Sequence, residues 1–322
     1  MVEKVLLFGD IGIDDTIALI YAYLNDEVDV VGVVADYGNV ARENALANIH
    51  YVRDLFGEEI EQVKIISGAE VPMTGELPVY VPEIHGEFGL GPIIPPTVFQ
   101  NEIVENFHEI INIIETYQDE LIIVNIGRLT SLATLFITYR ELMRQVKGYY
   151  IMGGAFWVTG NVTAVSEANF HGDPVAAQVV LTYAENVTII PLNVTEYAIA
   201  TPEMVDYIDN VGDIEIVKPL LDYYYDFYKR RNPNIQGSPL HDVLTLMATI
   251  KDDMLTYQNI PVEIVQADEG AERGQSIADI RPFISVEQLA EEQVREHRIA
   301  FGLDYKIFYN DFMSIMTGQK FE

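Results

Sequence analysis

Acidic side chains gather where the first apolar run of the chain ends. The stretch FGDIGIDD, residues 8–15, places Asp10, Asp14 and Asp15 directly after the apolar residues 5–7. Carboxylates this close repel one another when ionised, so a cation or a helix N-terminus must offset their charge. Oxygen ligands of this kind suit Ca²⁺ or Mg²⁺, and the chain has no cysteine that would favour zinc.

A second group of chemically capable residues lies in GSPLHDVLTL, where His241 precedes Asp242. Calcium takes about six to eight oxygen ligands, so Asp242 is a candidate to complete the set. His241 suits proton transfer near neutral pH. An ordinary structural explanation is equally available, because Asp14, Asp15 and the His-Asp pair all sit where helices begin. From these residues alone both interpretations stay open.

The elements that must position these residues alternate along the chain. Near-continuous apolar runs predict buried strands at 4–8, 28–35, 63–67, 121–126, 148–152 and 187–193. Helical patterns separate them at 14–24, 41–56, 101–117, 130–139 and 173–184, and two more follow at 215–231 and 239–250. Residues 262–281 look like strands around a turn. The expected fold class is α/β, a Rossmann-like, mostly parallel sheet with helices on both faces, a more helical C-terminal third and a single domain over 1–322.

Polar residues and glycines follow most of the predicted strands. Ligands of open α/β sheets bind beyond the carboxyl ends of the strands, so these positions are the expected site. They include the aspartates after the first strand, and further candidates at Gly38-Asn39, Gly127-Arg128, Gly153-Gly154, Asn161, Glu167 and Asn169.

The amino-acid composition disfavours some classes of binding partner. With 19 Lys and Arg against 50 Asp and Glu the formal charge is −31, which disfavours nucleic acid and anionic membranes as partners. There is no basic leader and no apolar run of about twenty residues, so we expect a cytoplasmic protein without a membrane span.

Several motifs together resemble one family, the nucleoside hydrolases of the inosine-uridine-preferring type. The matching stretches keep the family's order along nearly the whole chain: GDIGIDDTIAL (9–19), YGNV (37–40), EIHGEFGLG (83–91), NIGRLTSLA (125–133), IMGGAFWVTGNVTAVSEANFHGDPVAA (151–177), LHDVL (240–244) and RGQSIAD (273–279). Each motif is weak by itself, and their combination is specific.

The resemblance implies a metal site and a reaction. One Ca²⁺ would be held by Asp10, Asp15, Asp242 and the backbone carbonyl of Ile126, and would also take the ribose 2′- and 3′-hydroxyls and a water. Asp10 would be the general base for that water, and His241 would help to protonate the leaving base. Such an enzyme releases a free base and ribose through an oxocarbenium-like state, with inversion at C1′. Purine salvage would be its metabolic setting.

The resemblance also implies the groups that bind the substrate. Asp14 would bind the 2′-hydroxyl, Asn39 and Asn169 ribose hydroxyls, and Asn161 and Glu167 the 5′-hydroxyl. The backbone of Met152 would face the sugar, His85 would lie on a mobile loop over the base, and Tyr225 would line the base pocket. The family's quaternary structure implies a homodimer or homotetramer.

Five positions depart from the family pattern. Phe8 stands where an aspartate is usual, Ile11 and Arg128 each replace a proline, Ala168 a phenylalanine and Asn193 an aspartate. These departures motivate a second hypothesis, a non-catalytic relative that binds ribose or nucleosides. A third, phosphoryl transfer by an aspartate nucleophile as in haloacid-dehalogenase-like enzymes, lacks the usual Asp-x-Asp at this strand.

Overall fold

The computed structural model describes residues 2–60, 62–96, 104–212, 214–279 and 295–322. Eleven strands lie in these residues: β1 Glu3–Gly9, β2 Val28–Ala35, β3 Lys64–Ser67, β4 Leu121–Asn125, β5 Gly148–Met152, β6 Val187–Ile190, β7 Ile199–Ala200, β8 Ser238–Pro239, β9 Leu255–Ile264, β10 Ser276–Ala278 and β11 Glu296–Leu303.

Nine of these strands form one sheet in the order β10-β9-β11-β6-β5-β4-β1-β2-β3. The seven adjacent strands from β11 to β3 run parallel to one another, while β9 is antiparallel to both β11 and β10. Strands β7 and β8 form a separate antiparallel pair. The sheet is therefore mostly parallel, as the sequence predicts.

The described residues form thirteen α-helical segments, several of a single turn. They are α1 Ile13–Leu24, α2 Arg42–Phe56, α3 Pro82–His85, α4 Glu109–Tyr117, α5 Thr130–Thr138, α6 Arg140–Met143, α7 Ala168–Gly172, α8 Pro174–Tyr183, α9 Leu192–Thr195, α10 Pro202–Val211, α11 Val217–Arg231, α12 His241–Met247 and α13 Tyr305–Thr317. No helix of the described ranges is long and apolar enough to cross a membrane.

Side chains of the central strands alternate between two cores, because successive residues of a strand face opposite sides of the sheet. On β1, Val5 and Leu7 belong to the core that packs against α1, α2, α11, α12 and α13. Leu6 and Phe8 belong to the core on the other face, against α4, α5 and α8. This explains the unbroken apolar runs of the sequence, since both faces of the sheet are covered.

The chain order creates a crevice beside β1. From β1 the chain builds outward through β2 and β3 on one side, and through β4, β5 and β6 on the other. The loops that leave β1 and β4 therefore diverge to opposite sides at the carboxyl end of the sheet. A topological switch point of this kind is where open α/β sheets bind ligands.

Most predicted elements are confirmed, and the differences have local causes. The segment 101–117 is helical only from Glu109; residues 101–103 lie outside the described residues, and Glu105 pairs with Ile66 as an isolated bridge. The strand at 187–193 ends at Ile190, before the turn of α9. The more helical C-terminal third is not confirmed, because β9, β10 and β11 from that part extend the sheet.

A buried histidine at the start of β11 gives a prediction for stability. Nε2 of His297 lies 2.9 Å from the carbonyl oxygen of Leu181, so this nitrogen carries the hydrogen, and burial lowers the pKa of the ring to about 4. In the unfolded chain the same ring titrates near pH 6.5, so the unfolded state binds the extra proton first. We expect His297 to make the protein lose stability as the pH falls from about 6.5 to 4.

Urea unfolding at pH 7.5 and pH 4.5 of the wild type and of His297→Gln tests this expectation. Glutamine keeps an N–H donor for the Leu181 carbonyl but binds no proton. The drop in unfolding free energy between the two pH values should be smaller in the variant. An equal drop in both proteins would contradict the assigned role.

Candidate active site

A cavity of about 350 Å³ opens at the carboxyl ends of β1, β2, β4 and β5. Its wall contains most of the residues that the sequence selected, from loops far apart in the chain: Asp14, Asn39, His85, Ile126, Met152, Asn161, Glu167, Asn169, His241 and Asp242. The fold therefore brings the separate motifs to one place. Asp10 and Asp15 lie beneath this surface, each about 1% exposed.

Three carboxylates form the acidic centre of the cavity floor. Asp14 and Asp15, in the first turn of α1, and Asp242, in the first turn of α12, each offer an oxygen within 4.8 Å of the others. Oδ2 of Asp15 accepts a hydrogen bond from the backbone N–H of Gly12 at 3.0 Å, whereas its Oδ1 is buried and has no hydrogen-bond partner in the part of the chain that the structure describes. An orphaned buried carboxylate oxygen beside two further carboxylates is the donor set that a hard cation requires.

Asp10 lies next to this group and not in it. The loop after β1 places its carboxylate against the loop after β2, where the backbone N–H of Asn39 donates to Oδ2. Two glycines make room for it: a Cβ at Gly38 would lie 2.5 Å from its Cγ, and one at Gly127 2.9 Å from Oδ1. Asp10 is thus fixed at the switch point, close enough to raise the pKa values of Asp14 and Asp15 by its charge.

Burial dominates the electrostatics of the floor. It raises the pKa of Asp10, and raises the pKa values of Asp15 and Asp242 well above the ordinary carboxyl value. Burial, followed by the charge of Asp10, raises the pKa of Asp14 to about 7. The Arg128 guanidinium is a close counter-charge, and it opposes the shift of the Asp10 pKa. The residues therefore fit a bound cation, which would offset charge that the fold leaves largely uncompensated.

Amides and an arginine form the wall beside the carboxylates. Nδ2 of Asn169 donates to the carbonyl oxygens of Ile126 and Met152, at 3.0 and 3.1 Å. Its Oδ1 accepts from Nη1 of Arg128 at 2.6 Å, and Nη2 of Arg128 lies 3.2 Å from Oδ1 of Asn39. The sequence marked Arg128 as a departure from the family and, with Gly127, as a candidate position after a strand, but gave it no role. Its position just beyond β4 was the signal that it belongs to the site.

Glu167 and Asn161 close the far side of the cavity. The Glu167 carboxylate caps α7 by accepting from the N–H groups of Asn169 and Phe170, and also accepts from Gly154. Oδ1 of Asn161 accepts from the N–H of Ala168 at 2.9 Å. These bonds fix both side chains in the wall, and among the described residues the Asn161 NH₂ group has no acceptor, so it is available to a ligand.

His241 stands at the start of α12 in a row of hydroxyl groups. Its Nδ1 is 2.8 Å from the Thr195 hydroxyl, and its Nε2 is 3.4 Å from the Tyr228 hydroxyl, which lies 3.2 Å from that of Tyr224. Burial lowers the pKa of His241 to about 4, so the ring is neutral at pH 7. A neutral imidazole that hydrogen-bonds at both nitrogens can pass a proton between neighbouring groups.

His85 ends the short helix α3 and packs against the start of α1. Its Nδ1 accepts from the backbone N–H of Ile13 at 3.0 Å, so its Nε2 carries the hydrogen. The ring lies 5.8 Å from that of Tyr224, between centroids, and burial lowers its pKa to about 3. The expected position over the cavity is therefore occupied by a buried, neutral ring, and the mobility of its loop stays a prediction.

One expectation needs correction. Tyr225 does not line the cavity, since its hydroxyl donates to the Ile235 carbonyl oxygen; Tyr224 and Tyr228 face the cavity instead, because α11 turns that side inward. Phe8, where the family has an aspartate, is fully buried in the core on the α4, α5 and α8 side of the sheet.

Fold and site together define a class of protein: an α/β protein with a cavity over buried carboxylates at the switch point of its sheet. Residues 5–310 match the model of the inosine-uridine preferring nucleoside hydrolases, and the chain belongs to this family.

Named relatives support the match across most of the chain. Uridine nucleosidase 1 of Arabidopsis thaliana is 28% identical over 81% of this chain and 78% of its own length. The inosine-uridine preferring nucleoside hydrolase of Crithidia fasciculata is 28% identical over 87% and 89%. Among solved structures, the purine-preferring ribonucleoside hydrolase from Gardnerella vaginalis superposes with a TM-score of 0.88 at 28% identity, covering 98% of both chains. This membership favours glycosidic over phosphoryl-transfer chemistry.

Proposed function

We propose that the protein hydrolyses the N-glycosidic bond of ribonucleosides to a free base and ribose, with Ca²⁺ bound among its buried aspartates. One observation carries the proposal. The carboxylates of Asp14, Asp15 and Asp242 converge at the floor of a cavity, and Oδ1 of Asp15 has no hydrogen-bond partner among the described residues. Family membership supplies the substrate class, because the relatives are named for hydrolysis of nucleosides.

The cation would be held by Asp10, Asp15, Asp242 and the carbonyl oxygen of Ile126. When bound, it would supply a positive charge that lowers the pKa of water and orients a vicinal diol. The oxygen-only donor set fits calcium, and a cysteine-free chain offers no thiolate for zinc. The Ile126 carbonyl already accepts from Asn169 and has a second lone pair for a ligand.

The chain's own residues would divide the reaction between them. Asp10, fixed by the Asn39 N–H, takes a proton from the attacking water. Asp14 holds the 2′-hydroxyl, and the carboxylates around the sugar stabilise positive charge that develops at C1′. Attack by water opposite the departing base inverts the configuration at C1′.

Release of ribose from inosine, uridine, adenosine and cytidine, with calcium supplied, tests the proposal. We expect turnover of at least one of the four. No release from any of them, with ribose still binding, would instead support the second hypothesis, a ribose-binding relative. The observation that supports this second hypothesis is the position of Arg128, a departure from the family pattern, among the amides of the cavity wall.

His241 is predicted to act on the leaving base. We expect His241→Ala to lower kcat for inosine by about a hundredfold, because the departing base loses its proton source. A nitrophenyl riboside, whose leaving group departs without a proton, should lose less than about fivefold. Steady-state kinetics with both substrates measures the difference. Equal losses on the two substrates would argue against proton transfer by His241.

We propose, further, that the enzyme is a single-domain cytoplasmic homodimer or homotetramer, which the sequence led us to expect. Sedimentation of the purified protein at micromolar concentration measures the oligomeric state directly.

A further inference from the structure

Arg128 joins the two amides on either side of the cavity. It follows β4 and is 7% exposed, and its guanidinium donates to Oδ1 of Asn169 at 2.6 Å and to Oδ1 of Asn39 at 3.2 Å. Asn39 follows β2, whereas Asn169 lies in α7. The guanidinium is therefore fixed from two directions at the wall where the ribose is expected.

A count of donors shows what this arrangement offers a ligand. Asn169 uses both hydrogens of Nδ2 on the carbonyl oxygens of Ile126 and Met152, and its Oδ1 is taken by Arg128. A guanidinium has five N–H groups, and in the described part of the chain Arg128 places two of them on protein acceptors. Arg128 therefore keeps donors for a ligand at this wall, whereas the Asn169 amide has both of its hydrogens on protein acceptors.

The neighbouring backbone is shaped to admit this side chain. A Cβ at Gly172 would lie 2.2 Å from Nε of Arg128 and 2.5 Å from its Cδ. Contacts below about 3 Å are not tolerated, so any side chain at position 172 would displace the arginine. Gly172 and Arg128 both line the cavity, so the end of the arginine side chain passes this glycine at the cavity wall.

We propose that Arg128 is a substrate-binding residue whose guanidinium, anchored on Asn39 and Asn169, donates hydrogen bonds to ribose hydroxyl oxygens. The proposal rests on the proposed function and makes it more specific, because it transfers the hydroxyl-binding role from the Asn169 amide to an arginine. The ligand class it selects is a sugar with an intact vicinal diol, since a fork of donors suits two adjacent oxygens.

The charge of Arg128 determines which kinetic constant it affects. The guanidinium attracts hydroxyl oxygens in the bound substrate, but it repels the positive charge that develops at C1′ in the transition state. It therefore stabilises the bound substrate at least as much as the transition state. Because the guanidinium also opposes the raised pKa of Asp10, the comparison is made at a pH where Asp10 is ionised in both proteins. Removing Arg128 should then raise KM and leave kcat nearly unchanged.

Arg128→Gln, Arg128→Lys and Gly172→Ala test the proposal against Arg231→Gln, a matched control. Arg231 also lines the cavity, but it is exposed and stacks on Phe227, 4.6 Å from the ring centroid. Kinetics are measured with inosine, 2′-deoxyinosine and 3′-deoxyinosine, and affinity for D-ribose by calorimetry with calcium present. Ribose binding reports on the site whether or not the protein turns over nucleosides.

We expect Arg128→Gln to raise KM for inosine about tenfold or more, with kcat changed less than about threefold. The ratio of kcat/KM for inosine to kcat/KM for one of the two deoxy analogues should also fall about tenfold, and the affinity for D-ribose should fall by a similar factor. Arg128→Lys should recover part of the loss, and Gly172→Ala should resemble Arg128→Gln. A merely structural arginine would instead lower activity equally on all three substrates, which overturns the assignment.

The two proposals fail in different ways. If the wild type releases no base but binds ribose through Arg128, hydrolysis is wrong and the assignment of Arg128 stands. If base is released and neither KM nor ribose affinity depends on Arg128, the assignment is wrong and hydrolysis stands. Absence of ribose binding by the wild type would overturn the role of Arg128 as well.

Discussion

Replacing Asp10 with asparagine is expected to lower kcat for base release by about a thousandfold, with KM changed only a few fold. Asparagine keeps the size of the side chain and an oxygen that can accept from the Asn39 N–H, but it cannot take a proton from water. The loss should therefore appear in the chemical step. Steady-state kinetics on the best substrate of the wild type, with calcium in excess, measures it.

Asp36→Asn is the matched control for this variant. Asp36 follows β2 as Asp10 follows β1; it is fully buried and does not line the cavity, and its Oδ1 accepts from the Ala69 N–H at 2.7 Å and from the Ser131 hydroxyl. We expect this variant to change stability and to retain kcat within a few fold. If the two variants lose kcat equally, the effect of Asp10 reflects structure and not proton transfer.

The second large effect concerns the cation. Chelation of calcium by EGTA should abolish base release, and re-addition should restore it. Because an ion that binds only the folded state stabilises it, about a hundredfold excess of calcium over its Kd should raise Tm by about 4 °C in a chain of this length. Thermal unfolding with and without calcium therefore detects binding independently of catalysis.

The buried carboxylates are expected to destabilise the calcium-free protein and to bind calcium. Asp15→Asn and Asp242→Asn test these two effects separately. Each removes one of several buried negative charges that repel one another, so each calcium-free variant should be more stable than the calcium-free wild type. Each should also lose most of the calcium-dependent rise in Tm. Variants that keep the full shift would show that calcium binds elsewhere.

Local sequence determined the secondary elements of the sheet and the identity of the acidic residues. The apolar runs of β1 to β6 are easy to recognise in the sequence, because both faces of a central parallel strand are buried. The motifs around Asp10, Asp14, Asp15 and Asp242 identified the family before any contact was known. The start of α4 and the strand β11 escaped prediction, because their sequences mix charged and apolar residues and depend on pairing partners distant in the chain.

The tertiary structure decided which of those residues lie together and which of them face the cavity. It placed Asp14 with Asp15 and Asp242, and Asp10 beside them. It turned Tyr224 and Tyr228 toward the cavity rather than Tyr225, and it buried Phe8 in the core. Helix rotation and loop packing determine such choices, and neither can be read from the spacing of residues. Arg128 is the clearest case: the sequence shows a substitution, whereas only the fold shows that Asn39, Asn169 and Gly172 surround its guanidinium, because these residues meet only when the loops converge at the switch point.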